Sequence, residues 1–156
     1  MSPSSIPATS PPSTAQTIKT LFLSSGPSVG ISTDCPNLAV SIAHSGKSVL
    51  LIDADFRRPR CHTVFGAENK VGISAVIEGT VELLDTVQTT EVENLSLLTC
   101  GKRPKNPSEL LTSHSFAELL DVLRAQYELV IIDTPPVLAV TDPLNVAPRV
   151  DGVLIV

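Results

Sequence analysis

The sequence predicts an α/β fold in which a mostly parallel sheet is flanked by helices. Short, continuous apolar runs alternate with segments of helical periodicity, which is typical of βαβ units. Runs without polar alternation suit strands that helices cover on both faces. A length of 156 residues fits one domain of this class. The predicted strands are Thr20–Ser24, Ser48–Ala54, Leu95–Thr99, Leu129–Asp133 and Gly152–Val156.

The segment between the first two strands predicts a helix with a late start. Asn37–Ala43 has helical character, but Pro36 would fall beyond the first turn of a helix that began at Ile31. A proline there costs on the order of 3 kcal/mol. With Thr33 or Asp34 as the N-cap, the proline would lie just inside the helix, where it is tolerated. We therefore expect the regular helix to begin about one turn after Ile31.

Helix signals also occur further along the chain. Asn106 has the position of an N-cap, Pro107 that of the first helical residue and Glu109 that of a capping-box acid. Ser115 is expected to cap the next helix. Apolar residues at helical spacing are interpreted as core; they are Ile73, Val76, Ile77, Phe116, Leu119, Leu120 and Leu123.

Composition excludes several functional classes. The net charge is -5 and 17% of the residues are charged, so no large basic surface is available for nucleic acid. Three separated cysteines without a C-x-x-C pair favour a reducing, cytoplasmic setting over a disulfide framework or a zinc site. No run of about 18 apolar residues is present, so direct membrane insertion is not expected.

The two ends of the chain differ from its middle. Residues 1–18 contain four prolines and eight Ser or Thr residues, a composition that predicts a disordered tail. The folded domain would then occupy residues 19–156. The last predicted strand has nothing after it to cover its face, so we expect this domain to be incomplete at its C-terminus.

The segment after the first strand has the layout of a phosphate-binding loop. In such a loop, backbone N–H groups and a helix N-terminus surround phosphates, a lysine reaches them and a hydroxyl holds magnesium. The pattern G-x-x-x-x-G-K-[ST] fails here at Ser25 and at Ile31, where the lysine would stand. An ordinary strand-to-helix turn is the alternative. The candidate nucleotide-binding residues are Gly26, Pro27, Ser28, Val29, Gly30, Ile31, Ser32 and Thr33.

Acidic residues end two of the predicted strands, at the sheet edge where α/β proteins bind ligands. Asp53 and Asp55 follow the second strand, and alternation places both on one side of an extended segment. They could share a metal, or one could accept a proton from an attacking hydroxyl. Asp133 ends the fourth strand in the manner of a magnesium-holding aspartate. For Asp53 and Asp55, the alternative is a polar strand end that caps the following turn.

Taken together, these segments resemble the cytoplasmic kinase domain of the bacterial protein-tyrosine kinases of capsule and exopolysaccharide synthesis, within the deviant P-loop ATPase group. The similarity extends from Lys19 to Val156. It is carried by GPSVGIST, NLAVSIAHSGKSVLLIDADFRRPR, NPSELL, VIIDTPPVLAVTD and VDGVLIV.

The resemblance implies ATP and Mg²⁺ as cofactors and transfer of phosphate to tyrosine. It implies that the residues from Gly26 to Thr33 bind the nucleotide, that Ser32, Asp53 and Asp133 hold magnesium, and that Asp53 and Asp55 assist transfer. It also implies self-association and a membrane-embedded chain-length or export activator as partner, at the inner face of the cell membrane.

Because Ile31 stands where the phosphate-binding lysine is expected, the sequence is compatible with three functions. The first is a tyrosine autokinase whose activity is impaired, because a missing charge-assisted contact costs about 1.5–3 kcal/mol in binding and a missing transition-state donor about 10²–10³ in rate. The second is a non-catalytic interaction protein, a pseudokinase of the polysaccharide export machinery. The third is a partition-type ATPase, whose additional lysine would fall at Gly26.

Overall fold

The structure is a computed structural model that describes residues 18–23, 31–134 and 152–155. The strands of this part of the chain form one sheet. The strands lie side by side in the order β3-β4-β2-β5-β1-β6 and pair in parallel, except for the antiparallel pair β3–β4. This architecture confirms the expected α/β class. In chain order the strands are β1 (Ile18–Leu23), β2 (Val49–Asp53), β3 (Gln88–Thr89), β4 (Leu95–Leu98), β5 (Leu129–Thr134) and β6 (Gly152–Ile155).

Helices cover both faces of the sheet. Side chains alternate along β2, so Val49 and Leu51 join one core and Leu50 and Ile52 the other. The first core lies under α1 and α2, and the second under α3, α4 and α5. This double coverage explains why the strand sequences are continuously apolar. The helices are α1 (Ile31–His44), α2 (Cys61–Val64), α3 (Ile73–Glu78), α4 (Pro107–Thr112) and α5 (His114–Gln126), with a 3-10 turn at Leu83–Asp85.

None of the helices in the described part of the chain combines the length and the apolar character that crossing a bilayer requires.

The five predicted strands are present, and their described ends lie within two residues of the expected ones. One boundary is wrong: Ile18, assigned to the tail, is the first residue of β1, where it pairs in register with Leu129. Residues 1–17, on which the rest of the predicted tail falls, lie outside the described residues.

The sequence analysis missed β3, a two-residue strand that forms an edge of the described sheet. The Gln88 side chain accepts a hydrogen bond from the Glu68 backbone N–H at 3.2 Å and donates one to the Glu68 carbonyl at 2.8 Å. Two residues without apolar alternation carry no period-2 signal, so pattern analysis could not detect this strand.

The expected late start of the first helix is wrong. Helix α1 begins at Ile31 and contains Pro36 in its interior. The proline removes the one N–H that would have bonded the Ser32 carbonyl. Further along the helix, Ala39 and Ala43 are fully buried in the core beneath α1. Packing against the sheet therefore outweighs one missing backbone hydrogen bond.

The N-cap of α5 is Ser113, and the expectation of Ser115 is wrong. Ser113 Oγ accepts the N–H of Phe116 at 3.2 Å and donates to the Leu110 carbonyl at 2.7 Å, so it joins the end of α4 to the start of α5. Ser115 lies one residue inside the helix and is exposed. Asn106 precedes α4 as expected but makes no side-chain cap bond.

We expect Ser113→Ala to lower the free energy of unfolding by about 1 kcal/mol, because the Phe116 N–H loses its acceptor. Urea unfolding followed by circular dichroism measures this change. Ser115→Ala is the matched control, with an expected change below about 0.5 kcal/mol. Equal losses for the two variants would contradict the assignment of the cap.

Candidate functional site

The candidate site lies at the C-terminal ends of the central strands. Asp53 in β2 and Asp133 in β5 are partners in the parallel register, and Phe22 near the end of β1 pairs with Asp133 on the other side. Alternation places both aspartates on the face that carries Val49 and Leu51, beneath α1 and α2. Both are buried. The fold therefore brings two carboxylates together next to the C-terminal end of β1.

The chain after β2 folds around Asp53. Its Oδ1 accepts the N–H of Asp55, and its Oδ2 accepts the N–H groups of Arg60 and Cys61, each at 3.1 Å. Asp55 Oδ1 accepts the N–H of Arg58 at 3.0 Å in the same way. The two acids thus fix the backbone of the loop that precedes α2.

A thiol completes the cluster. Cys61 is fully buried at the start of α2, and its Sγ lies 3.3 Å from Asp133 Oδ2, to which it donates. The three side chains of Asp53, Cys61 and Asp133 offer metal-ligand atoms within 4.8 Å of one another. We call these three residues the acid–thiol cluster. Asp55, expected to share a metal with Asp53, is not one of its members.

Burial raises the pKa of each aspartate in this region. The pKa of Asp53 rises from 3.8 to about 6, chiefly because its carboxylate is desolvated, although three backbone N–H groups oppose the rise. Burial and then the charge of Asp53 hold the pKa of Asp133 well above its ordinary value. Burial also raises the pKa of Asp55. Backbone N–H groups and the charges of Arg58 and Arg60 lower this pKa, but burial has the larger effect.

Cys100 borders the site from the strand on the other side of β2. It follows β4, is fully buried, and its Sγ lies 3.9 Å from the Asp55 carbonyl. Burial raises the pKa of its thiol, and the charges of Asp53 and Asp55 raise it further. Cys100 is therefore a protonated packing residue beside the acids.

The candidate phosphate loop is described only in part. Ile31, Ser32 and Thr33 form the first turn of α1, so their backbone lies at a helix N-terminus. The other candidates, Gly26, Pro27, Ser28, Val29 and Gly30, lie outside the described residues. They fall in the connection between the end of β1 and this helix.

Sequence reasoning missed Cys61. The cysteines were interpreted only through their spacing from one another, and no C-x-x-C pair exists. The available signal was its place eight residues after Asp53, beyond a short loop that returns to the strand end. Only the three-dimensional arrangement shows that this loop brings the thiol to Asp133 on the neighbouring strand.

Comparison with known proteins gives consistent results. The AAA domain family matches residues 23–156. The chain is 43% identical over 136 residues to the tyrosine-protein kinase YwqD of Bacillus subtilis, covering 87% of this chain and 57% of that protein. It is 46% identical over 130 residues to the putative tyrosine-protein kinase EpsB of Ralstonia nicotianae, covering 83% of this chain and 17% of that protein. The chain thus spans less than two thirds of these curated relatives.

Solved structures agree with the sequence relatives. The kinase domain of VpsO superposes with a TM-score of 0.84 at 40% identity, over 90% of this chain and 68% of that one. The septum site-determining protein MinD of Pyrococcus horikoshii has a TM-score of 0.73 at 20% identity, over 89% of this chain and 57% of that one. The MinD likeness shows a shared P-loop NTPase fold. The chain therefore belongs to the AAA domain family and, within it, to the bacterial tyrosine-protein kinases.

Proposed function

We propose that the chain binds magnesium and ATP at the C-terminal ends of β1, β2 and β5 and is a slow tyrosine autokinase domain of a capsule or exopolysaccharide system. The observation that carries this proposal is the position of Asp53 and Asp133, which face each other on neighbouring strands next to the C-terminal end of β1. Membership of the tyrosine-protein kinases suggests the reaction, which is transfer of a phosphoryl group to a tyrosine hydroxyl.

The acidic pair fits a divalent cation. Magnesium prefers carboxylate oxygens, and both carboxylates are buried at the ends of neighbouring strands. Neither forms a salt bridge within the described ranges, so a cation would relieve both their desolvation and their mutual repulsion. We assign the ion to Asp53, Asp133 and Ser32. When bound, it would neutralise charge on the phosphates during transfer.

The two aspartates of the second acidic motif have different surroundings, which suggests different roles. Asp53 is buried and its carboxylate holds three backbone N–H groups. Asp55 is only partly buried, so it is the acid that a substrate hydroxyl can approach. We propose that Asp55 accepts the tyrosine proton while Asp53 holds the cation and the loop. The raised pKa of Asp55 makes it a better base once it is ionised.

The residues from Gly26 to Thr33 would surround the phosphates with backbone N–H groups at the start of α1. Ile31, the first residue of that helix, brings no charge to the phosphates where the pattern calls for lysine. We therefore propose that ATP binds weakly and that transfer is slow.

The same residue favours a second candidate function. If Ile31 prevents transfer altogether, the domain would act as a non-catalytic contact protein of the export machinery. In either case we propose a membrane-embedded chain-length or export activator as the partner, at the cytoplasmic face of the membrane. The capsule and exopolysaccharide resemblance supports this setting.

Titration of the chain with a fluorescent ATP analogue, with and without Mg²⁺, tests the proposal. We expect magnesium-dependent binding that Asp133→Asn weakens about 10–100-fold, because one cation ligand loses its charge. Asp55→Asn should bind as the unsubstituted chain does but lose transfer to tyrosine. Asp121→Asn, at an exposed position of α5, is the matched control and should change neither.

The proposed site would be contradicted if the affinity for the ATP analogue did not depend on Mg²⁺, or if Asp133→Asn left that affinity unchanged. Magnesium-dependent binding without any transfer to tyrosine would favour the non-catalytic candidate.

A further inference from the structure

The acid–thiol cluster differs in chemistry from a magnesium site because one of its three members is a thiol. Cys61 Sγ lies 3.3 Å from Asp133 Oδ2, while the Cys61 backbone N–H donates to Asp53 Oδ2 at 3.1 Å. The residue is therefore held against both aspartates at once. Magnesium has little affinity for sulfur, whereas zinc and cobalt bind thiolate and carboxylate together.

The spacing of these atoms suits a shared zinc ion. Zinc–sulfur bonds of about 2.3 Å and zinc–oxygen bonds of about 2.1 Å at a tetrahedral angle place sulfur and oxygen about 3.6 Å apart. The observed separation of Cys61 Sγ from Asp133 Oδ2 is 3.3 Å. Both atoms would need to move by only a few tenths of an ångström.

The charge balance of the cluster also points to a cation. Asp53, Cys61 and Asp133 are all buried, and no salt bridge in the described segments joins either carboxylate to a basic side chain. A divalent cation between the two carboxylates would offset the desolvation that otherwise favours their protonated forms.

We propose that Cys61 is a ligand of the divalent cation held by Asp53 and Asp133, and that it makes this site prefer zinc-like, thiol-binding ions to magnesium. The inference rests on the cation site of the proposed function and adds to it a preference among metals. On binding, the thiol loses its proton to the buffer and its sulfur forms the bond to the metal. An ion bound in this way would occupy the magnesium position and block ATP chemistry.

Titration of the purified chain with Co²⁺, without nucleotide, tests the proposal. Thiolate ligation produces an intense sulfur-to-cobalt absorption in the near ultraviolet, so we expect this band in the unsubstituted chain and its loss in Cys61→Ser. The matched control is the double variant Cys35→Ser/Cys100→Ser, which keeps Cys61 as its one thiol and should keep the band. Zinc affinity should fall at least about 10-fold in Cys61→Ser.

A band that persists in Cys61→Ser, or Mg²⁺ that displaces Co²⁺ at equal concentration, would overturn the preference and leave the magnesium site standing. If Asp133→Asn changes neither Mg²⁺ nor Co²⁺ binding, the cation site itself fails and the proposed function fails with it. X-ray absorption at the zinc edge of the unsubstituted chain avoids any folding defect of a variant. We expect one sulfur neighbour at about 2.3 Å, and a shell of oxygen and nitrogen alone would refute the proposal.

Discussion

Ile31→Lys should raise the rate of ATP-dependent tyrosine phosphorylation by about 10²–10³. Residue 31 opens helix α1, at the position where the phosphate-loop pattern has lysine. A lysine there would add a charge-assisted contact worth about 1.5–3 kcal/mol in nucleotide binding. It would also stabilise the charge that moves onto the phosphates during transfer. Single-turnover transfer from labelled ATP to a tyrosine peptide measures the change.

The matched control for this gain is Val122→Lys, which adds the same charge at an exposed position of α5. It should leave the rate unchanged. If Ile31→Lys is no faster than Val122→Lys, the missing lysine is not what limits the domain, and the non-catalytic function becomes the better account. Ile31→Lys combined with Asp55→Asn should return the rate to the background, because the proton acceptor is then absent.

The metal-free protein should lose stability as the pH rises from about 4 to 7. In the folded state the pKa of Asp53 is about 6, whereas its ordinary value is 3.8. A carboxyl group whose pKa is higher in the folded state stabilises the folded protein at pH values below its unfolded-state pKa. This stabilisation is lost as the pH rises through its folded-state pKa. The difference of about two pH units corresponds to about 3 kcal/mol. Asp133, whose pKa is also raised, acts in the same direction.

Urea unfolding at pH 4.5 and pH 7.5, in the presence of a chelator, measures this loss. Saturating divalent cation should restore stability at pH 7.5 and have little effect at pH 4.5, because protons and the metal compete for the same carboxylates. Asp133→Asn should lose less stability than the unsubstituted chain between pH 4.5 and pH 7.5 without metal, since one of the buried carboxyl groups can no longer ionise. A chain whose metal-free stability is flat or rises over this interval would contradict the raised pKa values.

The sequence predicts the sheet well because strands that are buried on both faces have continuously apolar sequences. Five apolar runs became the strands they predict, and acids at two strand ends meet because parallel strands share one C-terminal edge. The start of α1 could not be predicted from Pro36 alone. The local cost of a proline is visible in the sequence, but the burial of Ala39 and Ala43 that offsets it depends on the assembled sheet.

The wrong N-cap of α5 and the missed Cys61 also depend on contacts that exist only in the assembled fold. Ser113 and Ser115 are equivalent as local capping residues, and the end of α4 decides between them because Ser113 also bonds the Leu110 carbonyl. The position of Cys61 eight residues after Asp53 does not show which neighbouring strand the thiol meets. Its contact with Asp133 joins residues that are 72 positions apart, and it exists only because β2 and β5 are neighbours.

The short edge strand β3 has a consequence for behaviour at high concentration. An exposed edge invites another chain to add a strand, and long, regular edges nucleate aggregation. Here the edge strand has only two residues, and the Gln88 amide ties it to the Glu68 backbone through two hydrogen bonds. We expect this margin of the sheet to resist intermolecular β-pairing.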